Sequence, residues 1–383
     1  MPETAQRRFP EPPSNSPPEG SRQIKVSVKN VLWPLMLSIL VLVGIGYFTF
    51  EPDDFKQSID RIHPVFVIAA AATIVLRVWF GAWRFSFISR GKLGFWQALR
   101  GQLAWDFFSN VTPAALGGGP FAAIYVSKDA KMPVGETTAL VIFTILLDQL
   151  WSVLMVPIIL TTALYLSVIP EGAGTVGTVA ILGYFAAMLG WVLLLGYSTL
   201  FRPDIIQRIS DRIFSMPLLR RFRTRMASAM GQMSESARIL RTQPLAFFGK
   251  AFLLSAGTWI PRYLLPVFIV LSVLPSLDAI LLGLRSITMM VCSFVVPTPG
   301  GAGGIEGLYA LFIGPLLPKS LVAPTLLMWR FLGYYIFVAM GGFIFRVSRK
   351  APEEPEQRSE LNGLDALPLV DPDPEPEFAD SEE

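Results

Sequence analysis

Pro297-Thr298-Pro299-Gly300-Gly301-Ala302-Gly303-Gly304-Ile305-Glu306-Gly307 interrupts an apolar stretch that otherwise runs from Asp278 to Leu317. Proline removes a backbone donor and glycine adds backbone freedom, so this run cannot continue a helix. A second stretch, Phe95 to Val126, is broken in the same way at Pro113 and Gly117-Gly118-Gly119-Pro120. Neither reads as an uninterrupted spanning helix. Backbone groups freed at membrane depth are tolerated only when buried in protein or lining a wet cavity. Both stretches are therefore expected to be re-entrant hairpins, each made of two half-helices.

The surrounding chain shows that a membrane is the relevant solvent. Of 383 residues, 52% are apolar and only 16% charged, with a mean hydropathy of +0.51. That is more apolar surface than one soluble core of this length hides. Six full spans are predicted, at 31 to 50, 64 to 86, 137 to 163, 176 to 200, 248 to 271 and 321 to 346. The first holds 20 uncharged residues, about the 30 Å of a hydrocarbon layer. It is longer than a signal-peptide core and lacks a small-x-small cleavage site. Pro157 is expected to kink or split the stretch 137 to 169. The fold class is an all-α membrane protein, a polytopic helical bundle.

Residues 1–22 and 347–383 are read as disordered tails flanking one transmembrane domain at 23–346. The net charge of +3 conceals an acidic end, with twelve acidic side chains against Arg358 alone after residue 350, and an excess of about +14 elsewhere. In so apolar a chain that excess marks cytoplasmic loops and anionic lipid rather than nucleic acid. With six spans, Arg84, Arg90, Lys92, Lys128, Lys131, the loop 201–247 with its nine arginines, Arg346, Arg349 and Lys350 share one side with both termini. The positive-inside rule makes that side cytoplasmic, and the plasma membrane is the expected location. The loop also carries Ile205, Ile206, Ile209, Ile213 and Phe214 at helical spacing, which fits an interfacial helix. A plain solvated loop is the alternative.

An offset of 185 residues superposes Arg77 on Arg262, Arg100 on Arg285, Val111 on Val296 and Gly118-Gly119 on Gly303-Gly304. An odd number of spans separates the matched segments, which reverses their direction. The halves, about 64–163 and 176–346, would be inverted-topology repeats whose hairpin tips meet near the midplane. Such repeats with central broken helices are a transporter architecture. Chance likeness of apolar stretches is the competing account.

The 297–307 run lacks the Lys-Ser/Thr of a phosphate loop. Its backbone N–H groups, the positive end of the following half-helix and Glu306 could hold an anionic headgroup phosphate; glycines that merely allow close packing are the alternative. Arg77, Asp148, Arg262 and Arg330 lie within spans, where each costs about 2.5 to 3.5 kcal/mol unless paired or hydrated. Either they line a polar groove that grips phosphate through guanidinium forks, or Asp148 pairs with an arginine as internal glue and Arg330 snorkels. Asp106, Arg100 and Asn110 would line the same cavity, although Arg100 and Asp106, six apart, are not neighbours on one face. The candidate headgroup site thus comprises Arg77, Arg100, Asp106, Asn110, Gly118, Gly119, Asp148, Arg262, Arg285, Pro297, Pro299, Gly300, Gly301, Gly303, Gly304, Glu306 and Arg330. Trp105, Met289 and Met290 are read as packing. Cys292 and His63 are each the sole residue of their kind, so no disulfide, Cys-His pair, serine triad or metal-ligand set can be assembled, and no cofactor is implied.

The Pro-Thr-Pro-Gly-Gly-x-Gly-x-x-Glu-Gly run, with Asn110-x-x-Pro-x-x-x-Gly-Gly-Gly followed by a span ending near Asp148, resembles the lysylphosphatidylglycerol synthase transmembrane region family over about residues 30 to 346. That resemblance implies movement of a phospholipid or polyprenyl-linked lipid between leaflets. Family members that continue into a soluble domain transfer an amino acid from charged tRNA to phosphatidylglycerol. Only the acidic tail follows here, so no enzymatic activity is carried over. Pro120-Phe121-Ala122-Ala123 also departs from the polar or charged residue the family tends to place after the first glycines. A lipid flippase with anionic lipids as partners is the leading expectation. A lipid-modifying transferase using Glu306 or Asp148 as base, and an accessory subunit docking to a lipid-processing enzyme, are the alternatives.

Overall fold

The computed structural model describes residues 28–49, 62–112, 118–163, 165–200, 242–296 and 298–341. Both expected tails, the loop segment 201–241, and Pro113, Gly117 and Pro297 at the breaks lie outside the described residues.

The described residues form helices with no sheet. In chain order these are α1 (Val28–Thr49), α2 (Pro64–Ile88), α3 (Phe95–Val111), α4 (Gly119–Asp129), α5 (Val134–Ala163), α6 (Gly174–Leu200), α7 (Leu245–Val273), α8 (Ala279–Cys292), α9 (Gly304–Phe312) and α10 (Lys319–Arg330). Helix α10 continues through a π turn at Phe331–Tyr335, where the Ile336 N–H donates to the Phe331 carbonyl, and then to residue 341. Five described helical segments are long and apolar enough to cross a membrane: Pro64–Ile88, Val134–Ala163, Glu171–Gly190, Leu245–Val273 and Lys319–Gly341. The sixth expected span corresponds to α1, whose apolar part is Leu35–Phe48. Large apolar side chains on these helices point outward, with Leu40 69%, Val65 72% and Val176 85% exposed. This is a multi-pass membrane protein.

Local sequence explains the helix starts. Pro64 occupies the first turn of α2, where its missing N–H costs nothing. Asp278 caps α8 by accepting from the N–H groups of Ile280 (2.8 Å) and Leu281 (3.2 Å). Gln97 and Glu306 reach back to the backbone N–H groups of Gly94 and Gly303, at 3.1 and 2.8 Å, opening α3 and α9 alike.

Both expected breaks are present, α3 giving way to α4 and α8 to α9. Pro157, by contrast, does not divide its stretch: Val134–Ala163 is one helix. One lost backbone hydrogen bond is tolerated there, and Thr161 and Thr162 back-bond to the carbonyls of Pro157 and Ile158.

Helices α2 and α7 form the central pair and pack along most of their length. Small residues permit the approach: a Cβ at Gly257 would sit 2.6 Å from the Phe80 ring. Helix α3 packs on α2, α8 on α7, and each half-helix on its partner across the break. The order long helix, broken pair, long helix therefore occurs twice, as α2 to α5 and as α7 to α10. Helix α1 stands outside this repetition and lies against α10 and α9.

Candidate functional site

Helical spacing aims one polar face from each of several helices at a common space. On α2 the cavity residues are Thr73, Arg77 and Arg84, at four- and seven-residue steps; on α3 they are Gln102, Trp105, Asp106 and Ser109. Helix α7 contributes Thr258, Trp259 and Arg262, and α5 contributes Asp148 and Gln149. The cavity volume is about 340 Å³, and its wall includes Gly118, Gly119, Gly300 and Gly301, so both breaks border it. The breaks also touch. A Cβ at Gly300, whose φ of +58° already favours glycine, would lie 2.8 Å from the Asn110 carbonyl oxygen and against the Tyr334 ring. The Tyr334 hydroxyl donates to that same carbonyl at 3.4 Å.

Three carboxylates organise the charge. Asp106 pairs with Arg77 through a short contact, accepts from Gln102 Nε2 at 3.1 Å, and lies 3.7 Å from Arg262 Nη2. Asp148 pairs with Arg84 and accepts from Trp259 Nε1 at 2.8 Å, while Arg84 also donates to Ser255 Oγ at 3.0 Å. Glu306, fully buried, takes Arg330 Nε at 2.7 Å, Ser38 Oγ at 2.5 Å and the Gly303 N–H at 2.8 Å. Arg330 Nη1 donates to the Gly300 carbonyl at 3.2 Å, which ties α10 to the second break. Breaking one such buried pair typically costs about 3–5 kcal/mol, because the remaining charge is uncompensated.

Among the described residues, four guanidiniums thus meet three carboxylates, and the surplus falls on Arg262. Its carboxylate neighbour is already held by Arg77, its side chain is 28% exposed, and its guanidinium lies 4.5 Å from the Trp259 ring centroid. A cation over a tryptophan face keeps about 0.5–2 kcal/mol of attraction without losing its donors. Arg262 is therefore the least committed of these guanidiniums.

The sequence-derived candidates separate into three groups. Arg77, Asp106, Asn110, Gly118, Gly119, Asp148, Arg262, Gly300, Gly301 and Arg330 line the cavity. Glu306 and Gly303 stand behind it and shape the second break, while Pro299 and Gly304 belong to the turn without lining the space; Pro297 lies outside the described residues. Arg100 and Arg285 do not contribute, which corrects the sequence reading. Arg100 lies off the face that carries Asp106 and instead forms a half-exposed pair with Asp129 at 2.9 Å. Arg285 points away from the cavity to the carbonyls of Ser167 (2.7 and 2.9 Å) and Phe312 (3.1 Å).

Arg84 is a second correction: it is buried against Asp148 and is not one of the charges at a membrane surface. Arg330 likewise does not snorkel, being only 4% exposed. Gln102, Ser109, Gln149, Thr258, Trp259, Tyr334 and Ser38 were missed. Helical phase could have found Gln102 and Trp259, which lie four and three residues from Asp106 and Arg262 on their helices. The 185-residue offset also pairs Thr73 with Thr258, and both border the cavity.

A sequence model of the lysylphosphatidylglycerol synthase TM region family matches residues 35–341. No similar curated protein and no similar solved structure was found. The matched segment takes in every helix that borders the cavity, together with both breaks and Glu306. The chain therefore belongs to the lysylphosphatidylglycerol synthase TM region family.

Proposed function

We propose that this protein is a flippase that moves a lipid with an anionic headgroup between leaflets and performs no covalent chemistry itself. The observation that carries this reading is the convergence of Arg77 and Arg262, equivalent positions of the two halves, on the single carboxylate Asp106 in a cavity bordered by both chain breaks. A headgroup phosphate can take up the surplus guanidinium there while its acyl chains stay in the membrane. The paired arginines and paired breaks support inverted repeats with re-entrant hairpins, the arrangement expected for alternating access. The positive-inside distribution supports cytoplasmic termini. A phospholipid or a polyprenyl-linked lipid satisfies this chemistry.

The transferase alternative is less well supported, because its proposed bases are occupied. Glu306 is held by Arg330, Ser38 and the Gly303 N–H, and Asp148 by Arg84 and Trp259.

The test is leaflet exchange of a labelled anionic phospholipid in proteoliposomes. Losing a charged hydrogen bond of about 1.5–3 kcal/mol predicts that Arg262→Gln slows exchange by roughly ten- to a hundredfold, with insertion and helicity retained. Arg77→Gln also slows exchange, and additionally loosens the protein because Asp106 loses its closest cation. Unchanged exchange in both variants refutes the proposed site.

A further inference from the structure

Helix α1 belongs to neither half of the repetition, and its sequence divides it into two faces. Trp33, Met36, Leu40, Val43 and Tyr47, spaced three and four apart, are exposed along one side. Ser38, Leu42 and Ile45 turn toward the bundle. The helix thus faces lipid on one side and α9 and α10 on the other.

What α1 covers is the second break. A Cβ at Gly303 would lie 3.7 Å from Val41 and 3.8 Å from Leu37, so the turn into α9 sits under α1. Ser38 Oγ, fully buried, donates to Glu306 Oε1 at 2.5 Å and lies 3.0 Å from the hydroxyl of Tyr335, which closes the π turn. Glu306 also takes Arg330 Nε, and Arg330 borders the cavity together with Ile305 and Gly300. Polar groups therefore run without interruption from the inner face of α1 to the cavity wall, across one turn of α9.

Such a seam beneath a lipid-facing helix has a physical consequence. Lifting α1 into bare acyl chains would set the Glu306 carboxylate and its donors against hydrocarbon, where polar groups without partners are strongly disfavoured. The seam is stable against lipid tails alone, yet it can open when water and a polar headgroup fill it. The fastening is light for a whole helix: Ser38 holds the middle of α1, and Gly46 meets Ala323 of α10 without a side chain of its own. A lipid whose acyl chains stay in the membrane needs a sideways opening into the cavity, and this seam leads from the membrane to the wall.

We propose that α1 is a lateral gate, which moves away from α9 and α10 to admit the lipid and is latched by Ser38 on Glu306. This rests on the reading of the cavity as a lipid-transport site.

The test fastens the gate with a reversible bond. A Cβ at Gly46 would lie 3.8 Å from Ala323 Cβ, close to the average Cβ separation of a disulfide, about 3.8 Å. The full-length double variant Gly46→Cys/Ala323→Cys, with Cys292→Ala so that no third thiol interferes, is reconstituted in proteoliposomes and assayed for exchange of a labelled anionic phospholipid. Oxidation should slow exchange by at least about tenfold, and reduction should restore it. The single-cysteine variants should not respond to oxidant. A helix that served only as a structural cover would be held in place by the bond and leave exchange unchanged, so undiminished exchange in the cross-linked protein overturns the gate. Ser38→Ala examines the latch without new thiols: Glu306 keeps Arg330 and the Gly303 N–H, and exchange should accelerate by roughly two- to tenfold. A slower or unchanged rate in the folded variant overturns the latch role of Ser38. Absence of exchange in the wild type removes the transport reading and the gate with it, whereas wild-type exchange that ignores the cross-link removes the gate alone.

Discussion

The Arg84–Asp148 pair allows the stability of the cavity wall to be measured by a double-mutant cycle. The Arg84 side chain is 3% exposed and that of Asp148 18% exposed. Replacing Asp148 by Leu strands a nearly inaccessible guanidinium whose one other side-chain acceptor among the described residues is Ser255 Oγ. The expected cost is about 3 kcal/mol, the low end of the range for a broken buried pair, because Arg84 keeps the Ser255 hydroxyl as an acceptor. Replacing Arg84 by Met leaves Asp148 with the Trp259 donor and some access to water, and costs about 2 kcal/mol. Removing both partners leaves no unpaired charge, only an orphaned Trp259 N–H at about 1 kcal/mol. Simple addition predicts about 5 kcal/mol for the double variant, so the coupling comes to about 4 kcal/mol. That is well above the average of about 0.6 kcal/mol for hydrogen bonds inside membrane proteins. Reversible unfolding of the two single variants and the double variant, by steric trapping or denaturing-detergent titration, gives the cycle directly. A double variant as unstable as the sum of the singles would refute the claim that the two charges compensate one another.

Two further outcomes test the correction of the site and the contact between the breaks. Arg285→Gln should lower the thermal midpoint, because it removes donors to the Ser167 and Phe312 carbonyls, yet leave leaflet exchange as in the wild type; slowed exchange in a folded variant would return Arg285 to the site. Gly300→Ala should destabilise by more than about 1 kcal/mol, from its positive φ and its approach to the Asn110 carbonyl. Gly307→Ala, inside α9 with nothing within 4 Å, should instead stabilise by about 0.5–1 kcal/mol. Equal effects of the two glycine substitutions on the unfolding midpoint would contradict the described contact.

The helical segments were largely legible in the sequence because lipid-facing helices must be apolar along their whole length. Spans predicted at 64–86 and 248–271 correspond to Pro64–Ile88 and Leu245–Val273. The breaks were legible for the related reason that glycine and proline clusters are rare where a helix must satisfy its own backbone. Partner choice was not legible. Arg84 looked like a charge at a helix end, and only the packing of α2 against α5 and α7 turns it onto Asp148 and Ser255. Arg100 and Arg285 matched each other at the 185-residue offset, yet a matched position does not fix which way a side chain faces. Ser38 was invisible as a site neighbour because its acceptor, Glu306, lies 268 residues away.

The π turn at Phe331–Tyr335 also sets the rotational phase of the end of α10. A single added residue turns everything after it by about 100° relative to an unbroken α-helix. Phe337 comes after the turn, and its ring lies 4.3 Å from the Arg77 guanidinium carbon. Excising one residue from 331–335 would swing Phe337 away from Arg77 while leaving Arg330 seated on Glu306, so one end of the helix would keep its partner and the other would lose it. For this short segment, the number of residues is as strong a constraint as their identity.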